Sequence, residues 1–188
     1  NNFLQYSSSG SATIDVSGTA QLLVGSQIRE SSINSGGILN YTQSGGTVLI
    51  GTVVSLLGTK ESTKPMFKVA NSGSSFNFTG GSLIISNHLA GTSTASLYLD
   101  PATFTIGTGT AIQFGDASSI TGATAALTIQ SFIDLYDVLV DDSAGAISLS
   151  LSMLNTSLTL DNDLTIQSNT SFDAAGLALN IAGDFTNS

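Results

Sequence analysis

The sequence predicts an all-β fold, a right-handed parallel β-helix (β-solenoid), with a β-sandwich as the alternative. Three observations carry that expectation. A glycine-marked motif returns along the chain, short apolar and polar residues alternate between turn formers, and the polar surface is built from hydroxyls and amides in place of charge.

The repeat is the first of these. Gly18-Thr19-Ala20-Gln21-Leu22-Leu23-Val24 is answered by Gly46-Thr47-Val48-Leu49-Ile50, by Gly81-Ser82-Leu83-Ile84-Ile85 and by Gly109-Thr110-Ala111-Ile112-Gln113-Phe114. The glycines are 28, 35 and 28 residues apart. Upstream, Leu39-Asn40-Tyr41 matches Phe76-Asn77-Phe78, and Asn34-Ser35-Gly36 matches Asn71-Ser72-Gly73. Each unit reads as a short strand, a turn that needs glycine for positive φ, and a second short strand. No single unit can bury its own apolar side chains, so the units must stack. Leu22, Val24, Val48, Ile50, Leu83, Ile85 and Ile112 are therefore expected to form apolar ladders inside one continuous coil.

Alternation is the second. After a change of rhythm near 116–127, short strands are expected at Leu127-Thr128-Ile129, Leu135 to Val140, Ile147 to Leu151, Leu158-Thr159-Leu160, Leu164-Thr165-Ile166 and Leu177 to Ile181. Period-two alternation buries one face of each. Turn formers such as Asp141-Asp142-Ser143, Asp161-Asn162-Asp163 and Asn169-Thr170-Ser171 separate them. The stretch Ser131 to Val140 also has apolar residues at helical spacing, but it carries no cap and reads as a strand. Coils of roughly 20 residues would give about nine turns, a rod of about 40–45 Å at ~4.8 Å per strand. A sandwich is less well served, because the strands are short and nearly identical and there is no Trp.

Composition is the third. Of 188 residues 41% are hydrophobic and only 9% charged, which is too apolar for disorder and too poor in Lys, Glu and Arg for helical solvent faces. Threonine suits strands; Ser, Asn and Gly suit turns. The net charge is −9, and the four basic residues, Arg29, Lys60, Lys64 and Lys68, all precede position 70. Such a chain cannot neutralise phosphates, so nucleic acid is excluded as a partner, and anionic membranes should repel it. No apolar run reaches membrane-spanning length, so direct membrane insertion is not expected. Without cysteine there is neither a disulfide framework nor a thiolate metal site. The chain opens on Asn1-Asn2-Phe3-Leu4 and stops at Asp184-Phe185-Thr186-Asn187-Ser188 inside the repeating pattern. The expectation is that 1–188 form a single repetitive segment of a longer chain. Lys60-Glu61-Ser62-Thr63-Lys64-Pro65 concentrates charge and a proline, so 60–65 are expected to leave the stack as a protruding, removable loop.

Several units share a further texture: Asn40-Tyr41-Thr42-Gln43-Ser44-Gly45-Gly46-Thr47-Val48, Phe76-Asn77-Phe78-Thr79-Gly80-Gly81-Ser82-Leu83-Ile84, Leu135 to Gly145, and Leu179-Asn180-Ile181-Ala182-Gly183-Asp184-Phe185-Thr186-Asn187. This texture resembles the repeat regions of giant Bacteroidetes cell-surface adhesins exported by the type 9 secretion system, including the mobile adhesin of gliding motility. The resemblance spans most of the chain and rests on repeats, not on a diagnostic motif. It implies a secreted protein at the cell surface or outside the cell, acting in cell adhesion, surface attachment or gliding motility. The implied partners are surfaces or glycans, and neighbouring repeats of the same chain. It brings no catalytic residues. Asp142-Ser143-Ala144 resembles the motif for O-glycosylation of exported Bacteroidetes proteins, which makes Ser143 a candidate modification site.

Solenoids also house polysaccharide lyases and hydrolases, so a carbohydrate-binding or carbohydrate-cleaving module is the rival reading. Paired carboxylates could be drawn from Asp134, Asp137, Asp141, Asp142, Asp161 and Asp163, yet aspartate equally shapes turns. His88 is the single histidine, and no Gly-x-Ser-x-Gly elbow supplies it with a nucleophile. Asp161-Asn162-Asp163 and Asp141-Asp142 offer oxygens but match neither an EF-hand loop nor a calcium-binding nonapeptide. Asn-x-Ser/Thr triplets at Asn40, Asn77, Asn155 and Asn169 carry little weight in a chain so rich in these residues. No enzyme activity, metal or cofactor is expected. The test the sequence sets is whether Tyr41, Phe78 or Tyr98 lines a groove beside carboxylates, which favours the carbohydrate reading, or is buried, which counts against it.

Overall fold

The computed structural model describes residues 3–7, 9–31, 36–52, 63–86, 94–116, 125–142 and 148–188. Among them there is no helix. The strands are β1 (Leu4–Tyr6), β2 (Ser11–Val16), β3 (Gln21–Val24), β4 (Ile28–Glu30), β5 (Ile38–Ile50), β6 (Phe67–Ile85), β7 (Leu97–Ile106) and β8 (Ala111–Phe114). They continue with β9 (Ala125–Ser131), β10 (Asp137–Val140), β11 (Leu149–Met153), β12 (Leu158–Leu160), β13 (Leu164–Ile166), β14 (Thr170–Asp173), β15 (Leu179–Ile181) and β16 (Phe185–Asn187). Fourteen of them join in one curled sheet, and β12 pairs with β15.

Every strand pair described is parallel, and partners come from successive stretches of chain. The architecture is all-β, mostly parallel and compatible with a β-solenoid. The antiparallel face-to-face sheets of a sandwich do not occur among the described pairs. The longest ladder runs through seven rungs: β3, the end of β5, the end of β6, β8, β10, β13 and β16. Its inner columns are Leu22, Val48, Leu83, Ile112, Val138, Leu164 and Phe185, and Val24, Ile50, Ile85, Phe114, Val140, Ile166 and Asn187. All seven residues expected in such ladders are there, and the columns continue beyond them.

The layers are longer than the sequence suggested. Partners along the second column lie 26, 35, 29, 26, 26 and 21 positions apart, so only the last interval approaches 20. Seven rungs at ~4.8 Å place the first and last about 29 Å apart, in place of nine coils and 40–45 Å. The reason is that several short strands of the last third share a layer: β11, β12 and β13 stack on β9, Leu135 and β10 respectively. Ser131 to Val140 is likewise not one strand. It divides into the end of β9, an isolated bridge from Leu135 to Leu160, and β10.

Corners explain how strands as long as β6 wrap the core. Its register against β7 slips between Asn71 and Ser75, and its register against β5 slips opposite Gln43 to Thr47. Asn71 and Gly81 both have positive φ, 83° and 86°. Pro101, opposite Asn71, is tolerated in β7 at this irregularity. Gly46 and Gly81 mark the second corner in successive layers. A Cβ on Gly81 would overlap the Gly46 carbonyl oxygen and lie 2.7 Å from the Gly45 carbonyl carbon. Gly81→Ala should therefore destabilise the fold by about 2 kcal/mol or more, combining positive-φ strain with a backbone clash. A urea midpoint unchanged from wild type would refute this. Gly18 and Gly109 differ: a Cβ on either meets nothing within 4 Å. The four Gly-Thr/Ser pairs are thus not one structural position, since Gln21 and Ala111, not Thr19 and Thr110, stand beside Thr47 and Ser82.

Inward positions of all ladders merge into one core that includes Ile28, Leu39, Phe67, Val69, Leu97, Leu99, Leu127, Leu149 and Leu151. Aromatic rings fill its widest part: Tyr41 stacks on Phe76 at 5.3 Å between centroids and meets Phe67 edge-on at 5.1 Å. Burial in this apolar site raises the Tyr41 pKa and keeps its hydroxyl neutral. That hydroxyl donates to Gln43 Oε1, while Gln43 Nε2 donates to the Ser82 carbonyl at 3.0 Å, so the buried amide is satisfied inside the core.

Of the expected protruding loop, residues 60–62 lie outside the described residues. Lys64 and Pro65 do not protrude. Lys64 is buried, and the carbonyls of both accept hydrogen bonds from Gln27 Nε2 at 2.9 and 3.1 Å. The charge and proline that mark this stretch in sequence serve a docked turn at Lys64 and Pro65. Residues 117–124 of the expected rhythm change also lie outside the described residues.

Candidate binding groove

Gln27-Ile28-Arg29-Glu30 places three polar side chains in or beside β4, where strand pairing on both sides covers them. Buried polar groups need partners, and these come from the layers before and after. Arg29 donates from Nη1 to Gln27 Oε1 at 2.8 Å and from Nε to Gln5 Oε1 at 3.4 Å, with its guanidinium 3.9 Å above the Phe3 ring centroid. Lys64 donates from Nζ to the Glu30 carbonyl at 2.8 Å. The Glu30 side chain, 3% exposed, receives Lys68 Nζ at 3.3 Å on Oε2 and Asn71 Nδ2 at 2.7 Å on Oε1. Asn71 Nδ2 also reaches the Gly37 carbonyl at 2.7 Å. The Tyr6 hydroxyl lies 3.3 Å from the Lys68 carbonyl, and its pKa is raised by burial first and then by the Glu30 carboxylate. Three of the four basic residues thus form an internal charge knot that clamps three layers together.

Beside this knot, on the outer face of the ladder formed by β1, β4, the start of β6, β7 and β9, lies a groove of about 350 Å³. Lys68, Tyr98 and Gln130 are consecutive rungs on that face. Asp100, two residues beyond Tyr98, points the same way and is exposed. Phe132 follows Ser131, donates its N–H to the Leu99 carbonyl at 2.8 Å, and is 52% exposed. Its ring lies 6.0 Å from that of Tyr98, tilted by 59°. The Tyr98 pKa is raised, chiefly by partial burial and then by Asp100, so the phenol remains a neutral donor. Asn71, Thr63 and Thr94 complete the rim.

The sequence's own test therefore divides. Tyr41 and Phe78 are core residues, whereas Tyr98 lines a groove beside a carboxylate. The sequence does not mark Phe132, because its helical spacing with Leu135 and Leu139 disguises an outward strand-end position.

The candidate carboxylates fall elsewhere. Asp137 Oδ1 accepts Asn162 Nδ2 at 2.8 Å and the Asp163 N–H at 3.0 Å, and Asp163 Oδ1 accepts the Asp184 N–H at 2.7 Å. These aspartates form a column in which each carboxylate ties down the backbone of the next layer, which accounts for their spacing as turn chemistry. Asp134 and Asp161 are exposed, Asp141 is half-buried and Asp142 is buried. His88, Ser143 and Ala144 lie outside the described residues. Among the described residues no group of three or more His, Asp or Glu is placed to hold a metal ion, and no helix is long and apolar enough to cross a membrane.

No family model, no curated protein and no solved structure matches this chain.

Proposed function

We propose that this chain is a right-handed parallel β-helix serving as a structural and adhesive segment of a large bacterial cell-surface protein, without enzymatic activity. The observation that carries this reading is the seven-rung parallel ladder with unbroken inner columns. Stacked layers of this kind resist bending, because each strand hydrogen-bonds to the layers on either side. The right hand follows from the general rule that crossovers between parallel strands of one sheet are right-handed in nearly all proteins. The repeat texture shared with type 9-exported gliding adhesins supplies the surface location, secretion and attachment role. Ser143 remains a proposed glycosylation site in that setting.

Surfaces or glycans, and neighbouring repeats of the same chain, are the partners this reading proposes.

The test uses beads coated with residues 1–188 and flowed over surfaces bearing plant, algal and bacterial polysaccharides. Retention well above that of albumin-coated beads, with no release of reducing sugar, is expected. No retention on any surface would overturn the adhesive reading. Turnover abolished by a single Asp→Asn change in a folded protein would overturn the non-enzymatic one.

A further inference from the structure

We propose that the outer groove lined by Tyr98, Asp100 and Gln130, together with the exposed Phe132 ring that flanks it beside Tyr98, is a binding site for a neutral oligosaccharide. The inference rests on the adhesive reading and gives it a ligand class and a location.

The rings come first. Tyr98 and Phe132 stand on the outer face of adjacent layers, 6.0 Å apart and tilted by 59°, and Phe132 is half in solvent. Neither ring is in the buried core. A tilted pair of ring faces offers apolar platforms for the C–H faces of successive sugar units, at little entropic cost because each ring has only two side-chain torsions.

The polar groups come second. Sugar hydroxyls donate and accept at once, so they need acceptors and donors side by side. Asp100 supplies carboxylate acceptors, Gln130 an amide with both functions, and the Tyr98 phenol a neutral donor. Gln130 and Asp100 lie one on each side of the two rings, on rungs fixed by the pairing of Leu97 with Ile129 and of Leu99 with Ser131. A site mounted on paired strands holds its groups in place before the ligand arrives.

Charge decides the ligand class. Among the described residues, the charged side chains on the groove are Lys68 and Asp100, and the Lys68 ammonium is engaged by Glu30 at 3.3 Å. The described lining thus presents a carboxylate without a cation directed at the ligand, on a chain of net charge −9. Uronate and sulfated polymers are repelled, and a neutral chain is not.

The test is calorimetric and NMR titration of the intact 1–188 protein with cellohexaose, laminarihexaose and mannohexaose, with hexagalacturonate as the anionic counterpart. At least one neutral hexasaccharide should bind. Its affinity should fall about 30-fold in Tyr98→Ala and about 10-fold in Phe132→Ala, with urea midpoints near wild type. Thr165→Ala, on another face, should bind as wild type does. If Tyr98→Ala does not fold, the exposed Phe132 variant carries the test. The proposal is overturned if none of the neutral hexasaccharides binds, if hexagalacturonate binds more tightly, or if both ring variants bind like wild type. Bead adhesion that persists in the two ring variants would sink the groove alone, whereas loss of adhesion by the wild type on every surface would sink the adhesive reading itself.

Discussion

Ile85→Asp should remove the cooperative fold, with a loss of about 4–5 kcal/mol in urea denaturation followed by circular dichroism. Ile85 is completely buried, lies between Ile50 and Phe114 on an inner column, and has core neighbours in both adjacent layers. A carboxylate there would lose its hydration without gaining a partner. In a stack stabilised by nearest-neighbour contacts, the damage passes to the layers on both sides. The control is one residue away. Ile84 pairs with Leu49 and Gln113 on the outer face and is only half-buried, so Ile84→Asp should cost about 1 kcal/mol or less. Equal losses at the two positions would mean that the face assignment is wrong.

The second large effect is expected at Glu30. Glu30→Ala should destabilise the protein by about 3–5 kcal/mol, the usual consequence of removing one member of a buried ionic network. The substitution strips Lys68 Nζ and Asn71 Nδ2 of their carboxylate and leaves a void where three layers meet. Glu30→Gln keeps an oxygen for one of these donors and should cost less than half as much. Salt at about 1 M should not reproduce the loss, because a pair this enclosed is poorly screened. A Glu30→Ala protein as stable as wild type would show that the knot does not hold the layers together.

These two sites show how differently core and knot are written in the sequence. The column through Ile85 was legible from alternation alone. Leu83-Ile84-Ile85 after Gly81-Ser82, set beside Val48-Leu49-Ile50 after Gly46-Thr47, states which side chains face inward, since strand geometry leaves no other choice. The knot was hidden. Arg29, Lys64 and Lys68 are spread over forty positions, and charge beside a proline reads as an exposed loop in any local window. Only stacking places Lys64 under the Glu30 carbonyl and Lys68 against the Glu30 carboxylate.

The groove has the same origin. Tyr98 is remote in sequence from Gln130 and Phe132, and a one-dimensional pattern cannot state which rung lies over which. Register depends on how many residues each corner consumes, and these corners vary: successive layers differ by 21 to 35 positions. The layer length is hidden in the sequence for the same reason, because short strands belonging to different faces of one layer resemble strands of successive layers.

The sequence by itself determined what is local: strands in place of helices, the inward side of each, glycine at the tight corners and aspartate in the turns. All of these depend on backbone sterics and a two-residue period within a few positions. The tertiary structure alone decided what is relational: seven rungs in place of nine coils, the burial of Tyr41 and Phe78 against the exposure of Phe132, and the capture of Lys64 by the fold. Those outcomes follow from long-range register, which is set by packing across layers and which no short stretch of chain encodes.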